Sequence, residues 1–196
     1  MSAPLRTPPV VVLGSDAPSG VYVLRVALAQ PTRLAFGRFK RGRIIALPAG
    51  EYVYVGSAMG VKGAASLARR LVRHATRSGA QPPHAIRAAL IESLRAAGLG
   101  SGALLPRGEK ARRWHVDYLL DAPAAELTHI IALRTRARLE AALARHLEHD
   151  PQTTLIERGL GAGDAPGSAH LLRVVAPSAE AWWSAVLGLC RQLCAE

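Results

Sequence analysis

The sequence predicts a chain of the α+β type, with a small, mostly antiparallel sheet flanked by helices. Three observations carry this. Runs of β-branched and aromatic residues with strand length lie at 21–28 and 51–56, each bounded by glycine or proline. Stretches with helical period lie at 64–77, 84–97 and 136–148. The chain has 196 residues, 49% of them hydrophobic and 20% charged, which suits one domain with one sizeable core and excludes a disordered tail.

Residues 1–18 are Pro-rich and unpatterned and read as a mobile leader ahead of the fold. Val21 to Leu28 is the first strand, and two extended stretches follow at 34–39 and 43–47, separated by the basic turn Lys40-Arg41-Gly42. Pro48-Ala49-Gly50 then leads into Glu51 to Gly56, where Tyr52 and Tyr54 share one face and Val53 and Val55 the other. In the helix expected over 64–77, Leu67, Ala68, Leu71 and Ala75 form the apolar side, and Arg69, Arg73 and Arg77 fall opposite. Arg70 and His74, spaced i and i+4, lie together at the edge between the two faces. The helix at 84–97 and the glycine-containing, then basic, return to about 112 read as an insertion. Residues 114–120 and 127–134 read as strands, 136–148 as a helix, and 170–175 as a short strand. Ser178 caps a final helix reaching the C-terminus. Its adjacent Trp182 and Trp183 are expected to face apart, leaving one exposed.

Net charge is +11, and its position is more informative than its size. The first 80 residues carry twelve Lys or Arg against only Asp16 and Glu51, a net of +10, whereas the remainder is nearly neutral. A biased genome would spread arginine along the chain but would not remove acids from one part of it. The local field points to a polyanion. The two cysteines, Cys190 and Cys194, lie four apart with no further ligand to complete a zinc site, and their scarcity fits a reducing cytoplasm. No stretch is long and apolar enough for a membrane span, and oligomeric state is not legible.

Gly20-Val21-Tyr22 on one strand, Tyr54-Val55-Gly56 ending in Ser57 on another, and Arg70-x-x-x-His74 on the next helix come in an order that resembles the GIY-YIG endonuclease superfamily. Compact members keep the two tripeptides about a hairpin apart, whereas here an extra pair of strands intervenes. That longer spacing is similar to a stand-alone subfamily of small GIY-YIG proteins, of the domain-of-unknown-function type. Trp114 to Leu120, the helix around Arg138-Leu139-Glu140, and Gly159-Leu160-Gly161 with Asp164 and His170-Leu171 extend the similarity, which runs from Gly20 to about Val175. It leaves out the leader, the insertion at 80–112 and the last helix. Where the subfamily tends to have two cysteines after the aspartate, this chain has Ala165 and Gly167, so a thiol-dependent role of that loop is absent.

The resemblance implies a metal-dependent endonuclease acting on DNA, with RNA as the other polyanion. Cleaving a phosphodiester requires stabilisation of charge on the phosphate oxygens, and an arginine does this with paired donors that stay protonated. Arg70 is the candidate, against the plainer reading of a solvated arginine. Arg69, Arg73, Arg77 and Lys62 suit phosphates along the bound strand. Mg²⁺ or Mn²⁺ needs only one or two carboxylates besides waters, and the resemblance assigns that role to Glu140. The alternative is that Glu140 pairs with Arg136 on its own helix, and Asp117 is the next candidate ligand. By the same resemblance Tyr22 or Tyr54 activates the water, helped by the positive field that a tyrosine base requires. His74 is a candidate for proton transfer or phosphate contact, and His115 and His170 match subfamily positions without an assigned role. A rival reading from another class is a nuclease-like fold that binds nucleic acid without cutting it.

Overall fold

A computed structural model of the chain describes residues 7–14, 17–79, 81–100, 102–106, 108–162 and 168–195. The expected positions Asp164, Ala165 and Gly167 and parts of the leader lie outside these. The strands are β1 (Val10–Leu13), β2 (Gly20–Leu28), β3 (Thr32–Ala35), β4 (Ile44–Leu47), β5 (Gly50–Ala58), β6 (Ala125–Arg134), β7 (Thr153–Leu155) and β8 (Leu171–Val174). Six of them form one sheet in the order β1-β6-β2-β5-β8-β7, and β3 and β4 pair separately. Only the β1–β6 pairing is parallel, so the sheet is mixed but mostly antiparallel, an α+β fold as predicted. The helices are α1 (Leu67–His74), α2 (Arg87–Ala96), α3 (His115–Leu120), α4 (Glu140–His149) and α5 (Ala179–Ala195).

β2 and β5 lie at the centre with both faces covered, which is why their residues are apolar in succession rather than in alternation. On one face Tyr22, Leu24, Tyr52 and Tyr54 pack with Leu67 and Leu71 of α1, Leu90 and Leu94 of α2, and Leu119 of α3. On the other face Val21, Val23, Val53 and Val55 pack with Leu143 and Leu147 of α4 and Trp182, Trp183 and Val186 of α5. The central sheet thus separates two hydrophobic cores, where the composition suggested one. Glycine is required where the backbones come closest: a Cβ on Gly20 would lie 1.9 Å from the Leu133 carbonyl oxygen on the neighbouring β6.

Four further expectations change. Part of the leader is structural, because Val10–Leu13 adds a strand alongside β6 at the sheet edge. Residues 115–120 form a helix, not a strand: the Asp117 carboxylate accepts the Trp114 N–H at 3.0 Å and so holds an exposed donor of the first turn. The inserted helix α2 is integral, with Leu90 and Leu94 fully buried in the first core. Trp182 and Trp183 are both buried, at 2% and 0% exposure. The apolar face of α5 is wide enough for both, and Trp182 turns its Nε1–H outward to Asp150 at 2.7 Å. Among the described residues no helix is long and apolar enough to cross a membrane.

Candidate functional site

The two tripeptides meet across the β2–β5 ladder, where Tyr22 is paired with Gly56. The pairing has a steric reason. A Cβ on Gly56 would lie 2.6 Å from both Cζ and Oη of Tyr22, so glycine at 56 is what lets the Tyr22 ring lie flat across β5. Tyr54 stands beside it, ring centroids 6.3 Å apart. Both tyrosines are buried. Burial raises the Tyr22 pKa well above its ordinary value; the Arg70 charge opposes this and that of Glu140 reinforces it. Tyr54 is raised for the same first reason, with Tyr22 and Glu140 adding to it.

Tyr22 heads a line of hydrogen bonds leading into the first core. Its Oη lies 2.9 Å from Nε2 of His74, and His74 Nδ1 lies 3.2 Å from Oδ1 of Asp117. An ionised carboxylate accepts only, so Nδ1 carries the imidazole proton and Nε2 is the acceptor for the Tyr22 hydroxyl. His74 is fully buried, and burial outweighs the pull of Asp117, so its pKa falls and the ring is neutral at pH 7. Asp117 is equally buried. Burial alone would raise its pKa, but the contacts with His74, the Lys110 charge and the backbone N–H of Trp114 hold it well below the usual carboxylate range.

Around the end of β5 the two layers touch. Arg70, on α1, donates from Nη1 to the carbonyl oxygen of Ser57 at 3.3 Å and stacks on the Trp114 ring with Cζ 3.7 Å from its centroid. Its Nε is buried and has no hydrogen-bond partner among the described residues. Glu140 begins α4 on the opposite face of the sheet and reaches around the strand end, where its Oε2 accepts the Ser57 hydroxyl. Its Oε1 lies 3.3 Å from His170 Nδ1. Burial works to raise the Glu140 pKa, but His170, the Ser57 hydroxyl and the Arg70 charge prevail and keep it ionised. Ser57 therefore joins Arg70 through its backbone and Glu140 through its side chain.

Residues 21–188 match the model of a family described as Domain of unknown function DUF123. The chain belongs to this family. No curated protein and no solved structure matches it. The DUF123 match includes every residue of the cluster just described, and it also spans the 80–112 segment and most of α5.

Within this DUF123 domain Tyr22, Tyr54, Arg70, His74, Glu140 and His170 lie together around the end of β5. Arg73 and Arg77 do not face outward. Arg73 donates to both Asp117 oxygens at 3.0 Å, and Arg77 donates to the Ala125 carbonyl and pairs with Glu126 at 2.9 Å. Helix α3 and strand β6 close over that side of α1 and supply the counter-charges. Arg69 and Lys62 instead line a cleft of about 330 Å³ with Ser66 and Leu104. Asp117 is not placed as a metal ligand: Arg73, His74 and the N–H groups of Arg113 and Trp114 occupy its oxygens. His115 is a loop anchor, its Nδ1 accepting the Gly161 N–H at 2.9 Å. Glu140 has no bond to Arg136; its partners are Ser57 and His170. Ser57 and Trp114 also belong to the site, through the Arg70 and Glu140 contacts above. An aromatic three residues before an aspartate, and a serine directly after the Tyr-x-Gly strand, are the signals the sequence offers.

Proposed function

We propose that this DUF123 chain is a GIY-YIG-type endonuclease that hydrolyses DNA phosphodiester bonds with Mg²⁺ or Mn²⁺. One observation supports it above the others: Arg70, with a buried and unspent Nε–H, lies at one strand end with the ionised Glu140 and the Tyr22–His74–Asp117 line. A guanidinium with free donors beside a carboxylate suits a bridging of phosphate and cation.

Glu140 fits a hard cation that keeps most of its waters. It is ionised, its side chain is 27% exposed, and a single carboxylate is enough for Mg²⁺ bound largely through water. Bound there, the ion supplies charge neutralisation at the phosphate and the leaving oxygen. The chain's own groups do the rest. Arg70 holds a non-bridging phosphate oxygen and stabilises the charge that grows on it. The attacking water gives its proton to Tyr22 Oη as Tyr22 passes its own to His74 Nε2, and Asp117 stabilises the imidazolium so formed. Tyr22 never has to exist as a free phenolate, which its raised pKa would forbid at pH 7. Trp114 fixes the plane of the Arg70 guanidinium.

Purified protein incubated with branched, flapped and linear DNA and Mg²⁺ or Mn²⁺ is expected to cleave at least one substrate, and Arg70→Ala and Glu140→Ala to abolish cleavage. Undiminished cleavage by both variants would overturn the site. The second reading, nucleic-acid binding without cleavage, is favoured by the complete burial of Tyr22. It predicts tight DNA binding with no metal-dependent product on any substrate.

A further inference from the structure

The stretch between the two tripeptides, 32–47, stands apart from the six-stranded sheet as its own antiparallel pair, with Thr32 opposite Leu47 and Ala35 opposite Ile44. Its inner face, with Leu34, Ile45 and Leu47, belongs to the first core. Its outer face and tip carry Arg33, Arg38, Lys40, Arg41 and Arg43, all exposed. Among the described residues one carboxylate, Glu157, pairs with this group, and it serves only Lys40 and Arg43. Arg33, Arg38 and Arg41 have no ion-pair partner there. Lys40 and Arg41 also adopt the left-handed backbone conformation, at φ 48° and 57°. That conformation favours glycine or asparagine, so two long cations at the tip are placed there against local preference.

The hairpin is continuous with the site. A Cβ on Gly37 would lie 2.6 Å from Tyr118 Oη, and the Phe39 ring packs 4.9 Å from that of His115, so the hairpin sits directly on α3. At the start of α3 stands Trp114, which carries Arg70. Arg112 over Tyr118 and Arg113 near Trp114 continue the row of cations between the two.

We propose that the hairpin at 32–47 is a docking wing for the phosphate backbone of duplex DNA flanking the site. This rests on the nuclease reading above and adds where the rest of the substrate lies. A duplex is favoured over unpaired strands because the wing offers cations without stacking surfaces: Phe36 is fully buried and Phe39 is packed on His115. Phosphate contact of this kind positions the duplex without reading its sequence.

The test compares the full chain with the variant Arg33→Gln/Arg38→Gln/Arg41→Asn, which leaves both Glu157 pairs and the catalytic cluster intact. Anisotropy of a labelled duplex about two helical turns long is titrated over a range of salt. Loss of three phosphate contacts is expected to flatten the log–log salt slope by about 2.7 and to weaken binding about 10²-fold near physiological salt. The corresponding triple lysine variant is expected to bind like the parent. If the parent binds and the neutral variant keeps its affinity and slope, the wing is overturned while the nuclease reading stands. If the parent binds no DNA, both fall. An equal loss on a single strand of the same length overturns the duplex assignment.

Discussion

Replacing Asp117 by Asn tests the buried polar cluster behind the site. The side chain keeps its shape, and every group facing the carboxylate is a donor. Oδ1 faces Arg73 and His74, and Oδ2 faces Arg73 and the backbone N–H groups of Arg113 and Trp114 at 2.8 and 3.0 Å. Whichever oxygen becomes NH₂, donor meets donor. The cations are hard to rehydrate, since the Lys110 side chain is 0% exposed and that of Arg73 15%. Breaking a buried pair by removing one charge costs about 3–5 kcal/mol. For a chain of this size that lowers the melting temperature by roughly 6–20 °C. Urea denaturation at pH 7 measures it, with Glu157→Gln as the control, because the exposed cations it pairs are worth under about 1 kcal/mol. The Asp117 pKa is depressed in the fold, so its stabilisation is complete above the ordinary carboxylate range and is lost only as pH falls through the folded value. Neutral pH therefore reads the full effect. An Asp117→Asn variant within about 1 kcal/mol of the parent would refute the reasoning, and with it the view that this aspartate organises Arg73 and His74.

Gly56→Ala drives a methyl into the Tyr22 ring and is expected to cost about 1–3 kcal/mol by overpacking, and to depress cleavage more than binding, measured by thermal melts and by kcat against KM. Stability is expected to fall as pH drops from about 6.5 toward 4, because His84, with a pKa lowered to about 4 by burial and Arg77, stays neutral while the unfolded chain takes up a proton. That amounts to about 2 kcal/mol at pH 5, and an unchanged urea midpoint between pH 7.5 and 5 would contradict it. Trp114→Ala removes the platform under Arg70 and is expected to lower cleavage while costing about 1 kcal/mol of stability, a split read by comparing kcat with the melting curve. Cys190 is fully buried with its thiol pushed up to about 12, so a thiol reagent is expected to label Cys194 first and Cys190 only on unfolding.

Local pattern was enough for most of the elements, and long-range charge pairing was what it lacked. β2 and β5 were legible because both their faces are apolar, and α4 because Leu143 and Leu147 repeat at helical spacing. Helix α3 carries the pattern of a strand, because Trp114, Val116 and Tyr118 suit one. What makes it a helix is Asp117 accepting the Trp114 N–H, a bond invisible to periodicity. β1 is hard to read from sequence because four residues near a proline-rich start carry a weak signal, although Val10 to Leu13 is apolar throughout. In the site, Tyr22, Arg70, His74 and Glu140 follow from a resemblance in order and spacing. That Arg73 and Arg77 turn inward depends on Asp117 and Glu126, which lie 44 and 49 residues away and are brought close only by the fold.

Ser57 has a consequence for how the molecule tolerates change. Arg70 comes from the layer organised by Leu67 and Leu71, Glu140 from the layer organised by Leu143 and Leu147, and the two meet around this strand end. Neither layer by itself contains a complete site. A cavity made in either core shifts one of the two groups relative to the other, so under the proposed nuclease function cleavage would become a sensitive gauge of packing in both. Variation that keeps each core stable but tilts α1 or α4 would separate Arg70 from Glu140 without unfolding the chain.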